Sequence, residues 1–255
     1  MGSKIDYSGN YRTRKNGFIW LIKNKSTKSL ILSILKIVIL RIKNFSGFVY
    51  YKLFKSGRTF LFNNSKYTYL IHQYNRAFAI ERTVEIPIVE KKLDDYFGCK
   101  ILEVGNVMQN YIKSSHDVVD LFEIGKNVHN VDIVDYVPVQ KYNLIVSVST
   151  IEHIGLDDLS ENPQKVSLAI EHLKKLLLKD GELFFTFPLG YNEYLDKLVF
   201  SKNSGLTKSF LMKRISVDNK WEQMNFNDIR RKKDSFVYGK PYEAGNYIFI
   251  GVYIK

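Results

Sequence analysis

A mixed α/β fold, a mostly parallel sheet with helices on both faces, is predicted by three observations. From residue 100 onward, short runs of β-formers alternate with helical or polar stretches, the βα pattern of a layered sandwich. The first of these runs, Lys100-Ile-Leu-Glu-Val104, is apolar and ends in Gly105-Asn106, as a buried parallel strand does before a tight turn. Pro163 to Leu178 repeats apolar residues at helical spacing (Val166, Ala169, Ile170, Leu173, Leu176, Leu177), with Pro163 near its start and Asp180-Gly181 as its stop.

Taken in order, the strands are Lys100–Val104, Asp117–Leu121, Val131–Asp135, Leu144–Ser149, Glu182–Phe187, Phe210–Ile215 and Tyr247–Ile254. That makes seven, and the final pair, without a strong helix between them, suits an antiparallel arrangement. Ahead of this body, Thr59–Phe62 and Tyr67–Ile71 flank Asn63-Asn64-Ser65-Lys66 and read as a hairpin. A helix-like stretch with Arg76, Glu81, Arg82 and Glu85 stops at Pro87, and Ile88 to Phe97 is a second short helix. Three segments follow: a basic, partly amphipathic N-terminal extension (1–60), a hairpin and helical cap (61–97), and the α/β domain (98–255).

Charge separates the extension from the rest. Thirteen of the 38 Lys and Arg lie in residues 1–60 with one acid, Asp6, so the whole net charge of +12 sits there and residues 61–255 are balanced. A balanced body lacks the basic footprint of a nucleic-acid enzyme, whereas the extension should seek an anionic surface. Met1 to Lys28 is polar and weakly patterned and is expected to be loosely ordered. Ser29 to Lys43 gathers Ser29, Ser33, Lys36, Lys43 and Asn44 on a narrow helical face, opposite a wide apolar one. The run is too short and too charged for a bilayer span, and it lacks the cleavage signature of a leader peptide. Two readings compete: an interfacial helix on an anionic membrane with Trp20 at headgroup depth, or a helix that buries its apolar face on the α/β domain. From Gly47 the pattern turns aromatic and β-rich. One cysteine, Cys99, excludes an internal disulfide and is read as buried rather than nucleophilic, consistent with a reducing, cytoplasmic compartment.

Four features fall at successive strand ends: Glu103-Val-Gly105-Asn106, Asp120, Asp132 and Ser149-Thr-Ile-Glu152-His153. They precede Leu176-Leu-Leu-Lys-Asp180-Gly181-Glu-Leu-Phe-Phe-Thr-Phe-Pro188. This series resembles the class I S-adenosylmethionine-dependent methyltransferases over residues 98–255. Tyr74-Asn75 and Glu81-Arg82-Thr-Val-Glu85-Ile-Pro87 are also similar to a group of uncharacterised bacterial and archaeal methyltransferases. The resemblance implies a Rossmann-like seven-stranded sheet and S-adenosyl-L-methionine as cofactor. It implies that Gly105 and Asn106 let the backbone approach the methionine part, and that Glu103 faces the amino end. Asp120 would accept from the ribose hydroxyls, Asp132 and Ile133 would flank the adenine, and Ser149 would lie beneath the methyl group.

The sequence departs from the family at Asn106, Val107 and Met108, where further glycines are usual, and at Asn143, where an acid is usual. A nicotinamide-binding alternative lacks GxGxxG. His153, with Glu152, is a candidate general base; the competing reading, which we prefer, is that the pair starts a helix and shapes the pocket. Arg82 could pair with a carboxylate of cofactor or substrate, against the commoner reading of a solvated face shared with Glu81 and Glu85. Tyr74 and Asn75 could line the pocket entrance, or simply pack between hairpin and helix. Pro188 closes the fifth strand at the same rim. His116 reads as structural, and the remaining histidines show no ligand spacing, so no metal is assigned.

The Asp/Asn-Pro-Pro-aromatic motif of amino-directed nucleobase methyltransferases is absent after the fourth strand, as is a catalytic cysteine. The expected reaction is therefore methyl transfer to an oxygen or nitrogen of a small molecule, sugar or glycan intermediate, at a membrane surface through residues 1–45. The altered first loop keeps a second reading open, a degenerate methyltransferase fold serving as a membrane-associated scaffold; an RNA substrate ranks behind both.

Overall fold

The computed structural model describes residues 27–158, 161–201, 204–226 and 236–255. The readings of residues 1–26, Trp20 included, lie outside them. The elements in chain order are α1 (Thr27–Phe54), the hairpin β1 (Thr59–Phe62) and β2 (Ser65–Thr68), α2 (Arg82–Asp95), β3 (Ile101–Val104), β4 (Asp117–Val119), β5 (Val128–His129) and β6 (Tyr142–Val148). They continue with α3 (Lys165–Leu176), β7 (Leu177–Pro188), α4 (Glu193–Phe200), β8 (Lys208–Arg214), β9 (Trp221–Met224) and β10 (Tyr247–Ile254).

One sheet runs β5-β4-β3-β6-β7-β10-β8-β9. The first five strands are parallel and the last three antiparallel. The chain starts centrally at β3, builds outward to β5, then returns to β6 on the other side of β3. The resulting switch point between β3 and β6 is where open α/β sheets bind ligands, at the carboxyl ends of their strands. Register aligns those ends: Val104 pairs with Val119 and Ser147, and Val148 with Thr186. Gly105, Asp120, Ser149 and Pro188 therefore share one rim.

Each face of the sheet has its own core. Val166, Ala169, Ile170 and Leu173 of α3, with Leu195 and Val199 of α4, pack on Leu102, Ile145, Phe185 and Phe249. On the other face Val84, Ile86, Ile88, Val89 and Leu93 of α2, with Phe60 and Phe62 of the hairpin, cover Leu144, Val146, Phe184 and Ile248. The segment 61–97 thus supplies one layer of the sandwich.

The structure corrects several expectations. The sheet has eight strands. Its third parallel strand is Val128–His129, because Asp132 accepts from Val134 N at 3.2 Å and curls Ile133–Asp135 into a 3-10 turn. The strand β9 was not foreseen; only Trp221 of Trp-Glu-Gln-Met points fully inward, so the segment reads as a loop. Nor was α4, which Asn192 caps by accepting from Leu195 N at 3.0 Å. Pro87 lies inside α2 instead of ending a helix. A proline cannot donate to the carbonyl four residues back, and that carbonyl, Thr83 O, accepts from Leu70 N at 2.9 Å instead. Residues 74–79 form a 3-10 turn with Asn75 and Arg76 at positive φ. The helix α1 continues through the aromatic segment to Phe54, since Phe48 and Tyr51, one turn apart, both pack on Phe78. From 31 to 46 its side chains are largely exposed, so that stretch does not bury an apolar face on the domain. Cys99 is exposed, in the turn between α2 and β3.

At the start of α4, burial pushes the Asp196 carboxyl up to about 6, while Gly190 N donates to it at 2.8 Å. Its folded pKa exceeds its unfolded one, so the folded state binds the proton more tightly. Stability is then greatest below the unfolded value of 3.8 and falls as pH rises to about 6. Asp196→Asn is expected to gain up to ~3 kcal/mol at pH 7 and nothing at pH 4, measured by urea unfolding at both. Equal gains at both would show the ionisation irrelevant.

Candidate active site

The loop after β3 is built around Glu103. This side chain is fully buried, and its Oε1 accepts from Val107 N at 2.9 Å and Met108 N at 2.7 Å. Oε2 meets His116 Nε2 at 2.7 Å. Glu103 therefore holds the loop shut, and its expected exposure to a cofactor's amino end is not what the geometry shows. Gly105 stands at φ +86°, and a Cβ there would meet Thr150 Oγ1 at 2.1 Å. The glycine is required by Thr150 and by its backbone angle.

Asp120 organises the neighbouring turn. Its Oδ1 accepts from Phe122 N (2.8 Å) and Glu123 N (2.7 Å), and its Oδ2 from Asn106 N (2.9 Å). Asn106 is buried; its Nδ2 donates to Glu123 Oε2, and its Oδ1 has no donor within reach. Leu121 and Phe122 beside them are exposed apolar surface. Asp132 forms an ion pair with Lys165, which also holds Asp158, so it is less free to accept from an adenine than expected. Ile133 next to it is buried in the core.

On the other side of Ser149 lies a cavity of about 290 Å³. Its floor is a buried polar cluster. Arg82 Nη1 donates to Glu85 Oε2 at 2.9 Å, and Nη2 to Ser149 O at 3.3 Å. Glu85 Oε1 accepts from Ser149 Oγ (2.7 Å) and Thr186 Oγ1 (2.6 Å). Ser149 is a non-glycine at φ +37°, a conformation these bonds sustain. Arg82, Glu81 and Glu85 are all buried, so the solvated-face reading preferred from the sequence is overturned. The helix α2 presents this charged edge to the sheet end because its apolar residues occupy the sheet face below.

Glu152, only 1% exposed, follows Ser149 into the cavity wall. Its neighbour His153 is partly exposed, pairs through Nδ1 with Asp157 at 2.5 Å, and packs against the Tyr191 ring. Residues 151–153 form a single 3-10 turn and the next helix begins only at Lys165; they shape the pocket without starting it. Asn75, Pro188, Tyr191 and Tyr238 complete the wall. Tyr74 is exposed and stacks edge-on against Tyr111, outside the lining. The predicted residues thus fall in two adjoining groups joined by Ser149 and Thr150: Gly105, Asn106 and Asp120 in one, Asn75, Arg82, Glu152, His153 and Pro188 in the other.

The sequence reading missed Glu85, Thr150, Tyr191 and Tyr238 as site residues. The spacing of Glu81, Arg82 and Glu85 signalled one helical face, and Tyr191 follows Pro188-Leu-Gly190 at a strand end. Tyr238 carried no signal. A larger trough of about 1600 Å³ runs between the hairpin and β8–β9, along the antiparallel edge and away from the carboxyl ends of the parallel strands. The strand-end cavity is the one with buried ionisable groups. Among the described residues no three His, Cys, Asp or Glu side chains form a metal site.

The solved structures this chain resembles are methyltransferases. A SAM-dependent methyltransferase from Archaeoglobus fulgidus aligns at TM-score 0.45 and 13% identity over 71% of this chain and 98% of its own. The N-methyltransferase NodS from Bradyrhizobium japonicum WM9 aligns at 0.42 and 13%, over 69% and 96%. The plantazolicin methyltransferase BpumL, in complex with SAH, aligns at 0.42 and 13%, over 71% and 86%. No protein-family model and no curated protein matches the chain. At these identities and scores the solved structures assign neither an acceptor nor a role to any residue.

Proposed function

We propose that this chain transfers the methyl group of S-adenosyl-L-methionine to an oxygen or nitrogen of a small molecule, sugar or glycan intermediate, at an anionic membrane surface. The observation that carries the reading is Asn106 Oδ1, a buried acceptor with no donor, set beside the Asp120 carboxylate at the sheet's switch point. A buried acceptor without a donor costs on the order of 1–3 kcal/mol, and a ribose hydroxyl or an amino group would satisfy it as the Asn106 side chain turns outward from its buried position. Asp120 keeps one lone pair, on Oδ2, beyond its three backbone bonds and can accept from one ribose hydroxyl. Leu121 and Phe122 offer apolar contact to a base.

The cofactor supplies a methyl carbon bonded to a positively charged sulfur. The protein's part is alignment: Ser149, fixed by Glu85 and Thr186, sets the boundary between the two groups, and the cavity behind it receives the acceptor. One observation favours the scaffold alternative: Thr150 packs directly over Gly105, where close backbone approach was expected.

Titration calorimetry decides between the two. Binding of S-adenosylmethionine should raise the thermal midpoint by roughly 5–10 °C at a hundredfold excess over Kd, and Asp120→Ala should abolish the rise. No heat and no shift at millimolar cofactor would favour the scaffold.

The membrane part is supported by α1. Ile31, Leu35, Val38, Ile39 and Ile42 are exposed, with Lys36, Arg41 and Lys43 among them, and the excess positive charge lies in the same sixty residues. No described helix is long and apolar enough to cross a membrane. The full chain is expected to co-sediment with phosphatidylserine vesicles and to lose most of that binding when Leu35, Val38 and Ile39 become Ser. Equal pelleting of both forms would remove the membrane from the proposal.

A further inference from the structure

We infer that the cavity beside Ser149 takes a cationic amine, with Glu152 receiving the ammonium group and its proton. The inference deepens the proposed methyl transfer and rests on it for its chemistry. Glu81, Glu152 and Glu243 line the cavity, and Glu85 lies directly behind Arg82. The two guanidinium groups are already engaged: Arg76 grips Glu243 through two bonds of 2.6 and 3.0 Å, and Arg82 grips Glu85. Glu81 accepts from Gly245 N at 2.9 Å. Glu152 is left. Its Oε2 is buried without a partner, and its Oε1 lies 3.7 Å from His153 Nε2, beyond hydrogen-bond range.

The walls fit a cation as well. Tyr191 and Tyr238 meet edge-to-face with ring centroids 5.2 Å apart, and His153 packs on Tyr191 at 4.7 Å. Aromatic faces attract ammonium groups, the more so where water is excluded. A carboxylate ligand would instead face Glu81 and Glu152, with the forks of both arginines turned to other glutamates and the Arg76 Nε left without an acceptor.

The burial of Glu152 also arranges the proton. Burial, with Glu85 and Glu81 nearby, pushes the Glu152 carboxyl well above the usual carboxylate range, while Arg82 pulls the other way. Burial and Glu85 raise Glu81 likewise. His153, Tyr191, Tyr238, Arg76 and Glu243 complete the titratable surroundings. An arriving ammonium favours the ionised form of Glu152. An ammonium nitrogen has no lone pair; passing its proton to Glu152 leaves a neutral acid and a neutral amine. That nitrogen can then take the methyl carbon as the carbon–sulfur pair stays on sulfur, and the positive charge passes to nitrogen.

The test is calorimetry on the full chain with three ligands of one shape: benzylamine, benzyl alcohol and benzoate. Benzylamine is expected to bind at least ~10-fold more tightly than the other two. Its affinity should rise with pH until the amine itself loses its proton, and its heat should vary with the buffer's ionisation enthalpy as Glu152 sheds a proton. Glu152→Gln should weaken it about tenfold or more with the far-UV spectrum and melting retained. Tyr191→Leu, which leaves every carboxyl in place, should weaken benzylamine more than benzyl alcohol. Benzyl alcohol or benzoate binding as tightly, no benzylamine binding at millimolar concentration, or a folded Glu152→Gln that binds unchanged would each overturn the inference. Cofactor titration separates the two failures. Cofactor binding without benzylamine binding keeps the methyltransferase and discards the amine; the converse discards the methyltransferase.

Discussion

Arg82→Ala should lower stability by about 3–5 kcal/mol, the cost of breaking a buried ion pair from one side. The size follows from what remains. Glu85 is fully buried and would keep its bonds to Ser149 and Thr186 but lose its only cation. Glu81 and Glu152, both buried nearby, would lose the attraction of Arg82 as well, while Arg214 still acts on Glu81. Glu85 ties α2 to the ends of β6 and β7, so the loss reaches the loop that carries Ser149. Guanidinium-chloride unfolding measures it. Arg82→Lys should recover only part, because a single ammonium cannot reach both Glu85 and the Ser149 carbonyl in Arg82's fork geometry. An Arg82→Ala protein within 1 kcal/mol of the parent would show that the cluster is protonated and neutral at neutral pH.

Gly105→Ala is the second large effect. Two costs add: a non-glycine at φ +86°, roughly 1–2 kcal/mol, and a methyl forced against Thr150, about 1–3 kcal/mol. A double-mutant cycle separates them. Gly105→Ala with Thr150→Gly, which also removes the Thr150 Cβ that would lie 2.7 Å from the new methyl, should recover the steric part and leave the backbone part, a coupling of at least ~1 kcal/mol. Simple additivity would mean that Thr150 moves aside freely. For the same reason a loss of cofactor binding in a Gly105 variant says little about contact with the cofactor, and the same holds for Asp120→Ala, which removes three backbone hydrogen bonds from the turn.

The α/β alternation was legible because buried strands and amphipathic helices write their burial into hydrophobic periodicity. Leu144 to Val148 is buried throughout as an apolar run, and Val166, Ala169, Ile170, Leu173 and Leu176 are buried at helical spacing. Elements that bury little escaped. Trp221–Met224 turns one side chain fully inward, and Val128–His129 is too short to show any period. Pro87 misled because its consequence depends on a partner, Leu70 N, that lies far from the helix interior.

Asp120 was placed by its strand end alone. The Arg82 cluster was not, since charged residues at helical spacing look the same whether water or a sheet end faces them. Only the register that brings Ser149 and Thr186 opposite Glu85 decides it.

The bond from Leu70 N to Thr83 O gives the cap its character. Together with Thr83 Oγ1 donating to Leu70 O at 2.9 Å, it fastens the hairpin's exit to the first turn of α2. The apolar side of α2 fastens that helix in turn to β6, β7 and β10. A segment fastened at its first turn and packed along its length does not swing. The cavity beside Ser149 therefore has a fixed floor, and Tyr191 and Tyr238 sit on its opposite rim. In hydrogen exchange, the amides of Glu85 to Val89 that donate should be as slow as those of the central strands, with the Tyr238 segment orders of magnitude faster.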